Sequence, residues 1–126
     1  MIKQRYDFDE VRKIYQENQK QLDNLVQNIV QLSCENGQTI ATAESCTGGL
    51  LSQKITAVPG ASQMFALGIC TYTNEMKTAI LHVPESTLHT YTAVSPQTAI
   101  AMANGVAALS HADLALSVTG YAGPGG

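Results

Sequence analysis

The alternation of strand-like and helix-like segments is the feature that most constrains the fold of this chain. Short apolar runs that end in turn residues predict strands at 38–42, 65–73 and 114–118. Apolar residues at helical spacing predict helices between them, at about 22–36, 48–56, 75–81 and 96–109, with short helical turns at 61–64 and 84–88. This alternation is typical of α/β proteins. It predicts a layered α/β/α sandwich with a mostly parallel sheet.

Capping residues indicate where several of these helices begin and end. Asn36-Gly37 should end the first strongly periodic helix, because glycine readily adopts the left-handed cap conformation. Asn74 is the expected N-cap of the helix at 75–81. Ser95-Pro96 combines an N-cap residue with a proline at the first helical position, which predicts a helix start there.

The first 19 residues differ from the rest of the chain in composition. They are polar and charged, with Val11, Ile14 and Tyr15 at helical spacing. We interpret residues 1–19 as an N-terminal arm or surface helix that precedes a single domain at 20–126. After Asn36 the only cationic side chains are Lys54 and Lys77, so each of them is informative.

Composition argues against several classes of function. The formal net charge is -3, which gives no electrostatic footprint for nucleic acid. No apolar run approaches the roughly 20 residues that span a bilayer, and the start lacks the apolar core of a signal peptide. We therefore expect a cytoplasmic protein without nucleic-acid or membrane partners. The three cysteines form no CxxC pair and the histidines show no H-x-x-x-H spacing, so we expect reduced thiols, no metal site and no cofactor.

Three predicted strands end in polar or glycine-rich residues. These ends are Glu44-Ser45-Cys46-Thr47, Tyr72-Thr73-Asn74 with Lys77 beyond, and Thr119-Gly120. Ligands of open α/β sheets bind at the carboxyl ends of the strands, so we expect a functional site where these segments meet.

Ser45 is the first candidate nucleophile. It lies at a predicted turn from strand to helix, where free backbone N–H groups can hold an oxyanion and Gly48-Gly49 allow close approach of a ligand. An ordinary capped helix start explains the same residues equally well. Cys46 is an alternative nucleophile, although no histidine is placed to pair with it.

Lys77 is the candidate general base for Ser45. A lysine in the first turn of a helix meets the positive end of the helix dipole, and burial also disfavours its charged form. A lysine with a lowered pKa can accept a proton at neutral pH, and Tyr72 could orient or relay that proton. The alternative is that Lys77 is an exposed helix residue and Tyr72 packs in the core.

The chain also resembles a known family. Five segments occur in the order and spacing of the CinA C-terminal domain family, the nicotinamide-nucleotide amidases: Thr42-Ala43-Glu44-Ser45-Cys46-Thr47-Gly48-Gly49, Val58-Pro59-Gly60-Ala61-Ser62, Thr71-Tyr72-Thr73-Asn74-Glu75-Met76-Lys77, Ala93-Val94-Ser95 and Val118-Thr119-Gly120-Tyr121-Ala122-Gly123-Pro124. The resemblance covers about residues 22–126. It implies hydrolysis of the carboxamide of nicotinamide mononucleotide to nicotinate mononucleotide and ammonia, in pyridine-nucleotide recycling.

The resemblance also implies roles for individual residues. Ser45 is the implied nucleophile, Lys77 the base and Tyr72 an assisting residue. The residues implied to surround the substrate are Glu44, Cys46, Thr47, Gly48, Thr119 and Gly120. The family domain continues past the equivalent of Gly126 with a further strand and helix, so the expected fold is truncated at the carboxyl end. A homodimer is the implied assembly, and a non-enzymatic binding module or remnant is the alternative function.

Overall fold

The computed structural model describes residues 7–124. Residues 1–6 of the predicted arm and Gly125–Gly126 at the end of the predicted domain lie outside the described residues. The elements in chain order are α1 (Phe8–Asn36), β1 (Ile40–Glu44), α2 (Leu50–Thr56), a 3-10 turn (Ala61–Gln63), β2 (Phe65–Cys70), α3 (Asn74–Leu81), α4 (Glu85–Tyr91), α5 (Pro96–Ser110) and β3 (Leu114–Val118).

The sheet is a parallel arrangement with β1 at its centre. The strand order is β2-β1-β3, and both pairings of β1 are parallel. Helices cover both faces of β1, and all five of its residues are buried. A strand buried on both faces is what crossover helices produce in parallel sheets. The predicted α/β/α sandwich with a parallel sheet is therefore confirmed.

Two apolar clusters fill the layers on either side of the sheet. Ala41 and Ala43 contribute to the cluster under α3, α4 and α5, with Leu81, Val83, Leu88, Met102 and Val106. The second cluster packs α1 and α2 on the opposite face, with Val26, Val30, Ile40, Ile55, Ala61 and Met64. On the first side, a Cβ on Gly105 would lie 2.1 Å from the Leu81 carbonyl oxygen, so α3 and α5 are in backbone contact that only glycine permits.

Helix α1 is longer than expected and buries only part of its predicted apolar pattern. It runs without a break from Phe8, so no interruption marks the proposed boundary at residue 20. Val26 and Val30 of that pattern are buried together with Ser33, whereas Leu25 and Leu32 of the same pattern are more than half exposed. The sequence showed that the helix is amphipathic but did not distinguish between two neighbouring apolar stripes.

Helix ends follow the capping residues with two corrections. Gly37 ends α1 at φ 61, and the Ser95 hydroxyl accepts the Thr98 N–H at 3.1 Å, both as predicted. The N-cap of α3 is Thr73 rather than Asn74, because its Oγ1 accepts the Met76 N–H at 3.3 Å. Helix α2 begins at Leu50 rather than Gly48, since Gly48 and Gly49 have φ values of 61 and 103 that no α-helix contains.

Strand ends were predicted less accurately. β1 occupies Ile40–Glu44 instead of 38–42, and β2 ends at Cys70 instead of Thr73. In both cases hydrogen bonding to the neighbouring strand, which the sequence does not show, sets the end of the strand.

The carboxylate of Glu44 fixes the turn between β1 and α2. Its Oε1 accepts hydrogen bonds from the Thr47 hydroxyl and the Leu51 N–H, both at 2.8 Å. Its Oε2 accepts the Ser52 N–H at 2.9 Å and the Ser52 hydroxyl at 2.6 Å. The side chain is fully buried. Glu44 therefore caps the N-terminus of α2, which the glycine at the cap position cannot do.

These contacts also set the charge of Glu44. Burial alone raises the pKa of a carboxyl group, but the hydrogen bonds from Ser52, Leu51 and Thr47 outweigh burial and lower the pKa of Glu44. The carboxylate is thus held in its ionised form. Because a lowered folded pKa stabilises the fold above the unfolded pKa, this contribution is lost as pH falls through the folded value.

We predict that Glu44→Gln lowers the free energy of unfolding by about 1–3 kcal/mol at neutral pH, because the amide NH₂ faces donors at one end of the group. The difference from wild type should shrink as pH falls through the lowered pKa of Glu44. Urea unfolding from neutral to acid pH measures this difference.

Glu17→Gln, on the exposed surface of α1, is the matched control and should change stability little. An equal loss in both variants, or a Glu44→Gln loss that does not depend on pH, would contradict the capping role.

Candidate active site

Three strand ends converge at the carboxyl edge of the sheet, as predicted. The Ser45 N–H donates to the Val118 carbonyl at 3.0 Å, and the Thr71 N–H donates to the Glu44 carbonyl at 2.9 Å. Strand pairing thus continues one residue past β1 on both sides. A Cβ on Gly120 would lie 3.3 Å from the Cys46 sulfur, so the segment after β3 lies against the turn.

Ser45 and Lys77 are in direct contact at this edge. Lys77 Nζ donates to Ser45 Oγ at 3.0 Å, across 32 residues of sequence. Nζ also donates to the carbonyl oxygens of Thr71 at 2.8 Å and Tyr72 at 3.0 Å. Lys77 is 1% exposed and Ser45 is 6% exposed, so the contact is almost sealed from solvent.

The three partners of Lys77 are chemically unequal, and the difference determines where a proton can move. The two carbonyl oxygens can only accept, so they fix two N–H bonds of the nitrogen. Ser45 Oγ can both accept and donate. When Lys77 is neutral, its two remaining N–H bonds satisfy the carbonyls and its lone pair faces Ser45 Oγ. The arrangement is that of a base poised to take the serine proton.

The surroundings of Lys77 favour its neutral form. Burial lowers the pKa of Lys77, and the thiols of Cys70 and Cys46 oppose this effect when they ionise. Within residues 7–124 the one ion pair involving a side chain is Lys54 with Asp23 at 3.1 Å, so no carboxylate holds the charge of Lys77. A buried ammonium group without an anionic partner is costly, and loss of the proton relieves the cost.

Unoccupied backbone donors lie beside Ser45. The Gly48 N–H donates to the Ser45 carbonyl at 3.1 Å, and the Leu51 N–H donates to Glu44. In the described part of the chain, the N–H groups of Cys46 and Thr47 make no hydrogen bond. Two free N–H groups next to a nucleophile are the elements of an oxyanion hole.

The other predicted site residues contribute in different ways. Tyr72 supplies its backbone carbonyl to Lys77, while its side chain is 66% exposed, so a phenol relay stays a prediction. The Thr119 hydroxyl donates to the Ala93 carbonyl at 2.7 Å and ties the end of β3 to the segment before α5. The carboxylate of Glu44 accepts four hydrogen bonds within the turn, and a substrate contact by this residue stays a prediction.

Two contributors were not identified from the sequence. Thr71 supplies a carbonyl to Lys77, and the Ser52 hydroxyl joins Glu44 to the Thr42 hydroxyl at 2.8 Å. Thr71 lies in the segment that carries the family resemblance, but a carbonyl contact has no side-chain signature. Ser52 lies eight residues after Glu44, and only the turn geometry brings the two together.

The described residues give no indication of a metal or of a membrane span. No group of three or more His, Cys, Asp or Glu side chains in residues 7–124 is placed to hold a metal ion. Of the helices described, none is long and apolar enough to cross a bilayer.

Comparison with known proteins places this site in a family. The family model of the CinA C-terminal domain matches residues 22–126. A CinA-like protein of Desulfotalea psychrophila is 51% identical over 104 residues, which are 82% of this chain and 25% of that protein. The chain spans about a quarter of the length of the curated relatives it matches.

Solved structures show the same fold. Competence/damage inducible protein CihA from Agrobacterium tumefaciens is 44% identical with a TM-score of 0.81, covering 83% of this chain and 64% of that one. A CinA superfamily protein from Escherichia coli is 35% identical with a TM-score of 0.81, covering 83% and 61%. From the matched family model and these structures, we conclude that the chain belongs to the CinA C-terminal domain family.

Proposed function

We propose that this domain hydrolyses an amide, with Ser45 as nucleophile and Lys77 as general base. The observation that carries the proposal is the 3.0 Å contact between Lys77 Nζ and Ser45 Oγ, both buried. A lysine needed only for packing could be replaced by an apolar residue of similar length without the cost of a buried amine. Its position opposite a serine hydroxyl fits a role in proton transfer.

The reaction follows from the atoms in place. Ser45 Oγ attacks the amide carbon while its proton passes to Lys77 Nζ. The N–H groups of Cys46 and Thr47 hold the resulting oxyanion, and one such donor is typically worth about 3 kcal/mol. Lys77 then returns the proton to the amide nitrogen as the C–N bond breaks, which releases ammonia and leaves an acyl ester on Ser45. Water, deprotonated by Lys77, hydrolyses the ester and restores the serine.

The substrate proposed is nicotinamide mononucleotide, with nicotinate mononucleotide and ammonia as products. Support for this choice comes from membership of the family and from the five segments of resemblance, all of which lie in the matched region. A primary carboxamide also suits the mechanism, because its leaving group is a small amine that one lysine can protonate. The chemistry requires no cofactor, and a small-molecule nucleotide would be the partner of the site.

A binding module without turnover is the second candidate. The observation that favours it is the burial of the reacting groups, because Lys77 is 1% exposed and Ser45 is 6% exposed in this chain. A substrate carbon must reach Ser45 Oγ, so hydrolysis needs an opening at the turn. Ammonia release from nicotinamide mononucleotide by the purified chain separates the two candidates.

We predict that Ser45→Ala lowers turnover by about 1000-fold or more while leaving the fold intact, because the change removes only the attacking hydroxyl. Ammonia release measures turnover, and far-ultraviolet circular dichroism measures the fold.

Cys46→Ala is the matched control, since it removes the neighbouring side chain but keeps the backbone N–H. It should retain most of the activity. Near-normal turnover by Ser45→Ala would exclude the serine, and an equal loss in Cys46→Ala would favour a cysteine nucleophile.

We predict that turnover rises with pH and levels off once Lys77 is neutral, with a midpoint below the ordinary lysine value of about 10.4. Lys77→Met should lower turnover by about 100-fold or more, and the remaining turnover should no longer rise with pH in this range. Lys77→Arg should be as damaging, because arginine keeps its proton. Steady-state kinetics at a series of pH values measure turnover by wild type, Lys77→Met and Lys77→Arg.

The same lowered pKa has a consequence for stability that does not require activity. Between the folded and unfolded pKa values of Lys77, the unfolded chain binds one more proton than the folded chain. The stability of wild type relative to Lys77→Met should therefore increase as pH rises through that window.

For the turnover prediction, an active Lys77→Arg, or turnover of Lys77→Met that still rises with pH as in wild type, would rule out Lys77 as the base.

A further inference from the structure

The hydroxyl of Thr71 is an exception among the buried polar groups of this protein. Thr71 is fully buried, and within residues 7–124 its Oγ1 is the one buried side-chain oxygen or nitrogen without a hydrogen-bond partner. Thr42 is equally buried, and its hydroxyl shares a hydrogen bond with Ser52 at 2.8 Å. Buried Thr98 likewise donates to a backbone carbonyl at 2.6 Å. An unpartnered buried hydroxyl is destabilising, and such groups in native proteins often have a catalytic role or bind a water molecule.

The register of the sheet places Thr71 beside the candidate nucleophile. Glu44 pairs with Cys70 at the ends of β1 and β2, and the Thr71 N–H donates to the Glu44 carbonyl at 2.9 Å. The pairing therefore continues with Ser45 and Thr71 as neighbours across the two strands. Neighbours in a parallel pair present their side chains on the same face of the sheet, so the two hydroxyl groups share a face.

The packing of both strands identifies this face. Ile69 and Ala43, two residues before Thr71 and Ser45, both pack in the apolar cluster under α3, α4 and α5. Side chains two residues apart on a strand share a face, so Thr71 and Ser45 are on this side too. Lys77 reaches Ser45 from α3, on the same side. The free hydroxyl, the nucleophile and the base therefore meet on one face of the sheet at its carboxyl edge.

Thr71 is also tied to the base through its backbone. Its carbonyl accepts a hydrogen bond from Lys77 Nζ at 2.8 Å, so the residue that holds the amine also carries the free hydroxyl. A threonine hydroxyl has one proton to donate and two lone pairs that accept, and no hydrogen bond within residues 7–124 uses this capacity. A water molecule that donates one O–H bond to neutral Nζ needs an acceptor for the other, and Thr71 Oγ1 is such an acceptor.

We propose that the Thr71 hydroxyl positions the water molecule that hydrolyses the acyl ester on Ser45. The inference rests on the proposed amide hydrolysis, because it concerns the second half of that reaction. The water donates one O–H bond to Lys77 Nζ and the other to Thr71 Oγ1, which directs an oxygen lone pair at the ester carbon. Because Thr71 is fully buried, this water is shielded from bulk solvent and has few alternative partners.

The atoms balance in this step. As the new C–O bond forms, Lys77 takes the first water proton. It passes that proton to Ser45 Oγ as the ester C–O bond breaks. The products are free Ser45 and a carboxylic acid, which then ionises in solvent, and Thr71 is unchanged. Acylation of Ser45 consumes no water, so the first half of the reaction does not require this hydroxyl.

Thr71→Val separates this role from a structural one. Valine has nearly the shape of threonine and replaces the unpartnered hydroxyl by a methyl group, so stability towards urea should stay the same or rise. With nicotinamide mononucleotide, acyl-Ser45 should form at the wild-type rate. Its hydrolysis should slow on the order of 10- to 100-fold, the scale on which a misplaced reacting group lowers a rate. Rapid mixing followed by mass spectrometry measures formation and hydrolysis of the acyl group separately.

Three further variants sharpen the test. Thr71→Ala also lacks the hydroxyl and should slow hydrolysis of the acyl group in the same way. Thr71→Ser keeps the hydroxyl and should hydrolyse the acyl group at the wild-type rate. Thr98→Val is the matched control, since it removes the hydrogen-bonded hydroxyl of another fully buried threonine, outside the site. It should lower stability and leave both rates unchanged.

A second substrate, p-nitrophenyl acetate, makes the test independent of the proposed one, because its phenolate leaves without a proton from Lys77. If this ester acylates Ser45 but nicotinamide mononucleotide releases no ammonia, the proposed substrate is wrong, and hydrolysis of the acetyl group in Thr71→Val decides the role of Thr71. Unchanged hydrolysis in Thr71→Val, or equal slowing of acylation and hydrolysis, overturns the proposal. Absence of an acyl group on Ser45 with both substrates also overturns it.

Discussion

The burial of one amine opposite one hydroxyl is the constraint on which the site depends. Lys77 Nζ has three oxygen partners, and two of them are carbonyls that belong to consecutive residues, Thr71 and Tyr72. Those carbonyls hold the nitrogen in position whether or not it carries a third proton. Ser45 Oγ is the one partner that can change from acceptor to donor. The direction of proton transfer is therefore determined by backbone geometry just after β2.

A second buried ionisable group, Glu44, holds the turn that carries Ser45. Glu44 directly precedes Ser45, and its carboxylate has four donors, so it remains ionised and holds α2 against the end of β1. The two groups are solvated by opposite means. Glu44 is saturated with donors, which lowers its pKa and keeps its charge, whereas Lys77 has only neutral acceptors, so burial lowers its pKa towards the neutral form. Both shifts preserve the form of each group that the proposed reaction needs.

Much of this arrangement could be predicted from the sequence, because it depends on local signals. The order of strands and helices, Gly37 as a cap, and Ser95-Pro96 as a helix start are properties of short segments. The meeting of Ser45 with Lys77 followed from strand ends that share one edge of a parallel sheet. The N-cap role of Thr73, the Glu44 cap and the core-facing stripe of α1 could not be predicted. For the cap of α3 and the stripe of α1, neighbouring residues have similar propensities and tertiary contacts decide between them. The Glu44 cap depends instead on a turn that brings Glu44 to Leu51 and Ser52.

The most direct test of the central claim is the pKa of Lys77 itself. Nuclear magnetic resonance of the ¹³Cε signal, assigned with Lys77→Met, gives the titration midpoint in the folded chain and in the urea-unfolded chain. The account predicts a lower midpoint in the folded chain, because the amine is buried without an anionic partner. A folded midpoint equal to or above the unfolded one would show that Lys77 is a charged structural residue, and it would contradict the assignment of Lys77 as the base that activates Ser45.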